Sequence, residues 1–265
     1  MNFLDIQDKT FLLTGVANKK SVAFHSAKVL QEAGAKLLFS VQSEEHFGKV
    51  EKLFPDAKIY ILNVEDEEQI KNFGLKIKEE GIKLDGLLHS IAFANYSEGI
   101  KPFHETLLKD YLQASNISCF SLTALSNALK DSFNSDASVV TISISNTRAT
   151  SYGYMGPIKA SLDATVAFLA KSFSEFSRVR FNAVCSGPLK TAASAGIPGY
   201  IDNYLFAEQL TLRKEALKTG EVANTVAFLL SPRSSGISGS NLLVDAGMHT
   251  NYFDQSVVKT VSEHL

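Results

Sequence analysis

The sequence contains no tryptophan, two cysteines, three methionines and six prolines among its 265 residues. So few cysteines and prolines exclude a disulfide-stapled scaffold and a proline-rich or collagen-like chain. Polar residues interrupt every apolar run well before the roughly 18 residues that a membrane-spanning helix needs. Lys and Arg (26) do not exceed Asp and Glu (28), so the basic excess of a protein that binds a phosphate backbone is missing. We therefore expect neither a membrane nor a nucleic acid as a partner.

The composition is that of a folded globular protein. Hydrophobic residues make up 45% of the chain, which excludes an intrinsically disordered protein. We interpret residues 1–250 as one domain and residues 251–265 as either an arm on a neighbouring subunit or a loose tail. The first ten residues lack the basic and apolar regions of a secretory signal. We therefore expect a cytoplasmic protein whose Cys119 and Cys185 are buried, reduced thiols.

Short apolar runs alternate along the chain with longer amphipathic stretches. Runs that are continuously apolar are typical of strands covered on both faces, and the alternation indicates a parallel sheet. The sequence therefore predicts a doubly wound, Rossmann-like α/β fold with seven parallel strands and helices on both faces. The predicted strands are Phe11–Thr14, Lys36–Val41, Lys58–Leu62, Gly86–Ser90, Ser138–Ser143, Val179–Val184 and Asn241–Asp245. The clearest predicted helices are Ser21–Ala33, Glu65–Glu80 and Met155–Phe176.

The turn after the first predicted strand is a candidate dinucleotide site. In this fold the first strand-to-helix turn presents backbone N–H groups and a helix N-terminus to a pyrophosphate. Gly15 permits close approach of the backbone, and Ser21 can cap the helix or bind phosphate. Because the G-x-G-x-x-G fingerprint is absent, spacing alone leaves an ordinary turn open as the alternative.

Tyr152 and Lys159 are the candidate catalytic pair. Residues seven apart in a helix lie two turns apart on one face, so both side chains can point into one cleft. A lysine ammonium near a phenol favours the phenolate and strengthens the phenol as a hydrogen-bond donor. A Tyr and a Lys that merely share a helix surface are the alternative. No metal site is expected, because the six histidines lack ligand spacing and the two cysteines are not a C-x-x-C pair.

Six blocks of sequence, in order, carry a resemblance to a known family. They are GVANKKSVAF (15–24), HSIAFAN (89–95), NISCFSLTAL (116–125), YGYMGPIKASLDA (152–164), SGPLKTAASAGI (186–197) and GISGSNLLVDAG (236–247). Together they resemble the bacterial enoyl-(acyl-carrier-protein) reductases of the short-chain dehydrogenase/reductase superfamily. The resemblance implies that NADH reduces the 2,3 double bond of a trans-2-enoyl thioester on acyl carrier protein, in fatty acid biosynthesis. It also implies a homotetramer.

The same resemblance assigns roles to individual residues. Tyr152 would donate a hydrogen bond to the enolate oxygen, and Lys159 would hold the nicotinamide ribose hydroxyls. The implied cofactor contacts are Gly15, Ser21 and Val22 at the pyrophosphate, Gln42 and Ile91 at the two riboses, Asn63 and Val64 at adenine, and Leu189, Thr191, Ala192 and Ala193 over nicotinamide. The implied substrate contacts are Ala94, Ile144 and Tyr152. Tyr200, Tyr204 and Phe206 follow the nicotinamide loop and are left open between acyl-chain lining and core or interface.

The charge after the second strand favours NADH over NADPH. A 2′-phosphate requires Arg or Lys at that place. Here Gln42 is followed by Ser43, Glu44 and Glu45, and the two carboxylates would repel a phosphate.

Three positions depart from the family pattern. Ile144 stands where relatives usually carry an aromatic residue, His25 stands where they carry glycine in the first helix, and Asn63 replaces Asp. These changes leave two alternatives open. One is a short-chain reductase of another carbonyl or enoyl substrate, and the other is a catalytically silent nucleotide-binding homologue.

Overall fold

The seven predicted strands form one parallel sheet in the computed structural model, which describes residues 3–99, 101–191, 194, 196–197 and 199–263. The order of the strands is β3-β2-β1-β4-β5-β6-β7, and each neighbouring pair is parallel. The strands are β1 Thr10–Thr14, β2 Lys36–Val41, β3 Lys58–Ile61, β4 Leu84–His89, β5 Phe133–Ile144, β6 Arg180–Ser186 and β7 Ser240–Val244. This topology confirms the predicted doubly wound fold.

Helices cover both faces of the sheet and bury two separate hydrophobic cores. One core contains Ile70, Leu125 and Leu162, and the other contains Ala27 and Val226. The described α-helices are α1 Val22–Glu32, α2 Glu44–Leu53, α3 Glu67–Glu79, α4 Leu108–Ser115, α5 Ser121–Leu129, α6 Met155–Phe173, α7 Tyr200–Leu210, α8 Thr219–Leu230 and α9 Gln255–Ser262. A π-helical turn, Asn116–Phe120, joins α4 to α5.

The largest error in the predicted strands is at the start of β5. The apolar run begins at Ser138, but the strand begins at Phe133. Its first residues include exposed Ser135 and Asp136, and the register against β4 shifts between Leu84 and Gly86. An irregular, solvent-facing strand end lacks the continuous apolar pattern on which the prediction depended.

Two further expectations concern the cysteines and the end of the chain. Cys119 and Cys185 are free and buried, as predicted. No helix in the described ranges is long and apolar enough to cross a membrane.

After the last strand, Asn251 Nδ2 donates to Leu210 O at 2.9 Å. This segment therefore contacts the end of α7 in its own chain.

Close contact between α3 and α5 depends on Gly74. A Cβ at this position would lie 2.3 Å from Ala128 O, so we expect Gly74→Ala to lower the free energy of unfolding by about 2 kcal/mol. Gly48→Ala in α2 is the matched control, because a Cβ there meets nothing within 4 Å. The control should raise stability by up to about 1 kcal/mol, since Ala is the better helix former. Urea unfolding measures the free energy of unfolding of both variants. An equal change in the two variants would contradict the close contact at Gly74.

Candidate active site

The first part of the site is the crevice between β1 and β4, where the strand order reverses. Gly15 has a φ of +81°, and a Cβ on it would lie 1.9 Å from Ser90 O. Thr14 Oγ1 donates to Leu88 O at 3.0 Å and accepts from Ser90 N at 3.1 Å. The Thr14 side chain thus ties the carboxyl ends of the two strands together, and the absence of a side chain on Gly15 lets its backbone approach Ser90 O. In open α/β sheets this switch point is where a nucleotide binds.

The helix that follows Gly15 begins with a closed, capped turn. Ser21 Oγ accepts from Phe24 N at 3.2 Å and donates to Asn18 O at 2.9 Å. Asn18 Oδ1 also accepts from Lys20 N at 2.8 Å. Ser21 is thus the N-cap of α1, and the buried Val22 is the first helical residue. The free N–H groups of this helix N-terminus fit the negative charge of a pyrophosphate.

The residues predicted to contact adenosine lie at the same edge of the sheet, after β2 and β3. Gln42 is exposed directly after β2, and Val64 is buried shortly after β3. Asn63 Oδ1 accepts from Glu65 N at 3.1 Å, so this oxygen has one lone pair left for another donor. Together with Gly15, these positions line the carboxyl ends of three adjacent strands. Their cofactor roles stay predictions.

Tyr152 does not lie on the helix that carries Lys159. It ends a short 3₁₀ turn, Thr150–Tyr152, and α6 begins at Met155. Gly153, between them, has a φ of +62°, which interrupts the helical path. The argument from two helical turns is therefore wrong, because a spacing of seven does not show that the intervening backbone is helical.

The charge relation between Tyr152 and Lys159 also differs from the expectation. Burial, and secondarily the Tyr200 phenol, raise the pKa of Tyr152 to about 12. Burial lowers the pKa of Lys159 to about 8, and its Nζ donates to Ile142 O at 2.8 Å. Burial, and not the Lys159 ammonium, therefore has the largest effect on the pKa of Tyr152. Tyr152 carries a protonated phenol at neutral pH, which is the form that a hydrogen-bond donor requires.

His89, at the end of β4, is fully buried and neutral. Ser121 Oγ donates to Ile117 O at 2.6 Å, so its lone pair accepts from His89 Nε2–H at 2.9 Å. The other ring nitrogen, Nδ1, accepts from Thr141 Oγ1 at 2.9 Å. Burial, together with the charge of Lys159, lowers the pKa of His89 to about 3. This histidine is a structural link between β4, β5 and α5 and not an acid or base at neutral pH.

The other two predicted substrate contacts, Ile144 and Ala94, lie on different segments. Ile144 is the half-buried last residue of β5. Ala94 lies on the segment after β4, as does the predicted ribose contact Ile91, and both pack against the core. Ser118 Oγ holds this segment by accepting from Phe93 N at 2.9 Å and donating to Phe93 O at 3.0 Å. The end of β5 therefore presents an isoleucine at the position where the family pattern has an aromatic residue.

The loop after β6 is tied to α7 through Tyr200. Leu189 N donates to the Tyr200 hydroxyl at 2.8 Å, and Thr191 N donates to Ser194 Oγ at 2.9 Å. Ala192 and Ala193, also predicted here, lie outside the described residues. His25, the other departure, is only partly buried on α1 and packs edge-on against Phe24.

Tyr96 and Tyr154, which no sequence motif singled out, also lie next to Tyr152. Tyr154 donates from its hydroxyl to Asn95 O at 3.1 Å, and Tyr96 donates to Tyr152 O at 3.4 Å. Beside them lies a cleft lined by residues of the 95–107 segment, Asp110, Gly153 and Tyr154. The only available signal was that tyrosines occur on either side of Gly153. Within the described ranges, no group of three or more His, Cys, Asp or Glu residues is placed to hold a metal.

The comparisons with known proteins agree with this geometry. The sequence profile of the enoyl-(acyl carrier protein) reductases matches residues 15–249. The NADPH-dependent enoyl-(acyl-carrier-protein) reductase of Staphylococcus aureus strain MRSA252 is 35% identical over 93% of this chain and 98% of that protein. The NADH-dependent enzyme of Nostoc sp. strain PCC 7120 is 36% identical over 92% of this chain and 97% of its own length.

A solved structure gives the same result. The Bacillus cereus enoyl-acyl carrier protein reductase, determined with NADP⁺ and indole naphthyridinone, has a TM-score of 0.88 and 32% identity to this chain. The match covers 94% of this chain and 99% of the Bacillus protein. The chain therefore belongs to the enoyl-(acyl carrier protein) reductase family.

Proposed function

We propose that this protein reduces the 2,3 double bond of trans-2-enoyl thioesters on acyl carrier protein, with NADH as the hydride donor, in fatty acid biosynthesis. The observation that carries the proposal is the half-buried, protonated phenol of Tyr152, in a chain whose Gly15 turn lies at the switch point between β1 and β4. The relatives with this activity and the solved neighbour span nearly the whole chain.

Each part of the site has a task in this reaction. When bound, the reduced nicotinamide supplies a hydride to C3 of the enoyl group. The Tyr152 hydroxyl donates to the thioester carbonyl oxygen, on which negative charge develops as the double bond is reduced. Lys159 holds the ribose hydroxyls, and the N-terminus of α1 holds the pyrophosphate. Ile144 and Ala94 pack against the acyl thioester.

We propose a preference for NADH on the basis of charge, since the relatives named above include both NADH- and NADPH-dependent enzymes. Ser43 is the N-cap of α2, and Glu44 and Glu45 form its first turn. Lys49 Nζ pairs with Glu45 Oε1 at 2.7 Å. The Lys49 ammonium offsets the charge of the Glu45 carboxylate, so the Glu44 carboxylate is the main source of repulsion against the 2′-phosphate of NADPH.

We expect Glu44→Lys to raise the ratio of kcat/KM with NADPH to kcat/KM with NADH by about tenfold. The substitution replaces a repelling carboxylate by an attracting ammonium at the N-terminus of α2. Glu51→Lys, at an exposed position of the same helix, is the matched control and should leave the ratio unchanged. Absorbance at the nicotinamide band measures both rates. A wild-type enzyme that prefers NADPH would contradict the proposed cofactor.

We also propose a homotetramer, in which exposed apolar side chains of α4, the π-helical turn and α6 pack against other copies. Leu108, Leu112, Phe120 and Phe168 are between 48% and 78% exposed on these elements. Light scattering should report the mass of four chains.

Residues 1–250 would form the reductase domain, with residues 251–265 as a C-terminal appendage.

A further inference from the structure

The position of the Tyr152 phenol must come from contacts outside α6. The helix begins three residues later, and Gly153 separates it from the 3₁₀ turn. Within that turn, Tyr152 N donates to Ala149 O at 2.9 Å. Gly153 N adds a second bond, to Thr150 O at 3.2 Å, and two backbone hydrogen bonds in a short turn give little rigidity by themselves. A donor that stabilises a developing charge requires a fixed geometry, so other groups must supply it.

Two tyrosine hydroxyls link this turn to the segment after β4. Tyr96 donates to the carbonyl of Tyr152, and Tyr154 donates in the opposite direction to the carbonyl of Asn95. The two phenol rings pack together, with their centroids 5.5 Å apart. The two hydrogen bonds run in opposite directions between neighbouring residues of the two segments. Sliding of one segment along the other would therefore break both bonds.

The segment after β4 is itself fixed, so it can serve as the rigid side of the link. Asn95 Nδ2 donates to Asp110 Oδ1 at 3.1 Å, which ties the segment to α4. The backbone of Phe93 is bound on both its N–H and C=O by Ser118 of the π-helical turn. Tyr152 is therefore connected through Tyr96 and Tyr154 to two helical elements other than its own.

We propose that Tyr96 and Tyr154 are positioning residues that hold the Tyr152 phenol in place for the reaction. Their action is through the backbone on either side of Gly153 and not by contact with substrate. The inference rests on the proposed function, since it assigns Tyr152 as the donor to the thioester oxygen. Tyr154 is the stronger member, because it is buried and its hydrogen bond is the shorter of the two.

The test is a set of Tyr→Phe variants, which remove one hydroxyl and keep the ring. We expect Tyr154→Phe to lower kcat about tenfold, Tyr96→Phe less, and both to leave KM for NADH within about twofold. Tyr111→Phe is the matched control, since its ring also packs against Tyr154, 6.4 Å between centroids, and it should keep full activity. In a Tyr152→Phe background, Tyr154→Phe should cost nothing further, because no phenol remains to be positioned.

A second readout does not depend on activity. The chain has eight tyrosines and no tryptophan, so protein labelled with 3-fluorotyrosine gives few ¹⁹F NMR signals. The Tyr152 signal is the one that Tyr152→Phe removes without moving the others. We expect this signal to shift or broaden in Tyr96→Phe and Tyr154→Phe and to stay in place in Tyr111→Phe.

The two readouts separate this inference from the proposed function. If wild-type protein does not turn over but the ¹⁹F signal responds as expected, the reductase proposal fails and the link between the segments stands. If wild-type protein turns over and Tyr154→Phe keeps both its kcat and the Tyr152 signal, the positioning role is overturned. An equal loss on Tyr154→Phe with and without the Tyr152 hydroxyl would also overturn it, because the effect would then be on the fold alone.

Discussion

Replacement of Tyr152 by Phe should lower kcat by about 10²- to 10³-fold, the usual cost of removing one donor to a developing oxyanion. Partial burial raises the pKa of this phenol to about 12, which keeps it protonated through neutral and mildly alkaline pH. We therefore expect no loss of wild-type activity from deprotonation of this group between pH 6 and about pH 10. KM for NADH should change little, because the hydroxyl is assigned to the substrate.

Stopped-flow or steady-state NADH oxidation with a trans-2-enoyl thioester measures this effect. Tyr252→Phe is the control for removing a phenolic hydroxyl, because Tyr252 is 83% exposed near the end of the chain. It should behave as wild type. A Tyr152→Phe variant with more than a third of the wild-type kcat would show that the donor is another group. Tyr200, whose phenol acts electrostatically on Tyr152, would be the next residue to change.

Gly15→Ala should abolish cofactor binding and destabilise the fold by about 3 kcal/mol. The new methyl would lie 1.9 Å from Ser90 O, and the φ of +81° is unfavourable for alanine. Relief requires β1 and β4 to separate at their carboxyl ends. That movement opens the crevice in which we place the pyrophosphate.

Gly81→Ala distinguishes the collision from the backbone strain. Gly81 has a φ of +66°, but a Cβ on it meets nothing within 4 Å. This control should cost only the roughly 1–2 kcal/mol of a left-handed residue and keep cofactor binding. Thermal unfolding and the fluorescence of bound NADH report the two properties. Equal losses for the two variants would show that Gly15 is required for its φ only.

The sheet and its nucleotide edge could be predicted from the sequence because they depend on local patterns. Continuous apolar runs marked all seven strands, and Gly15 with Ser21 marked the turn at the switch point. The start of β5 could not be predicted, because its exposed residues Ser135 and Asp136 interrupt the apolar pattern that marks the other strands. The site was harder still, because its geometry is set by contacts between segments distant in sequence.

Tyr152 and Lys159 illustrate this limit. The sequence placed both residues at the site, but it assigned them to one helix and expected the lysine to promote ionisation of the phenol. Gly153 interrupts the backbone between them, and burial has the larger effect on both pKa values. Neither property can be derived from a spacing of seven residues. Desolvation depends on the whole surrounding fold.

The replacement at Ile144 is the strongest reason to consider a silent homologue or another substrate. Against a silent protein stands the buried ammonium of Lys159, which is costly to keep without a use. A reductase of carbonyl groups would also use a protonated tyrosine. The position to which hydride is transferred separates the two reactions.

We would therefore first incubate the protein with NADH deuterated at C4 and a trans-2-enoyl thioester on acyl carrier protein, and locate the deuterium by mass spectrometry. Transfer of the C4 label to C3 of a saturated acyl chain is the result that enoyl reduction predicts. Deuterium on a newly formed alcohol carbon would indicate a carbonyl reductase instead. If the thioester stays unchanged after prolonged incubation although NADH is bound, the proposed activity is contradicted.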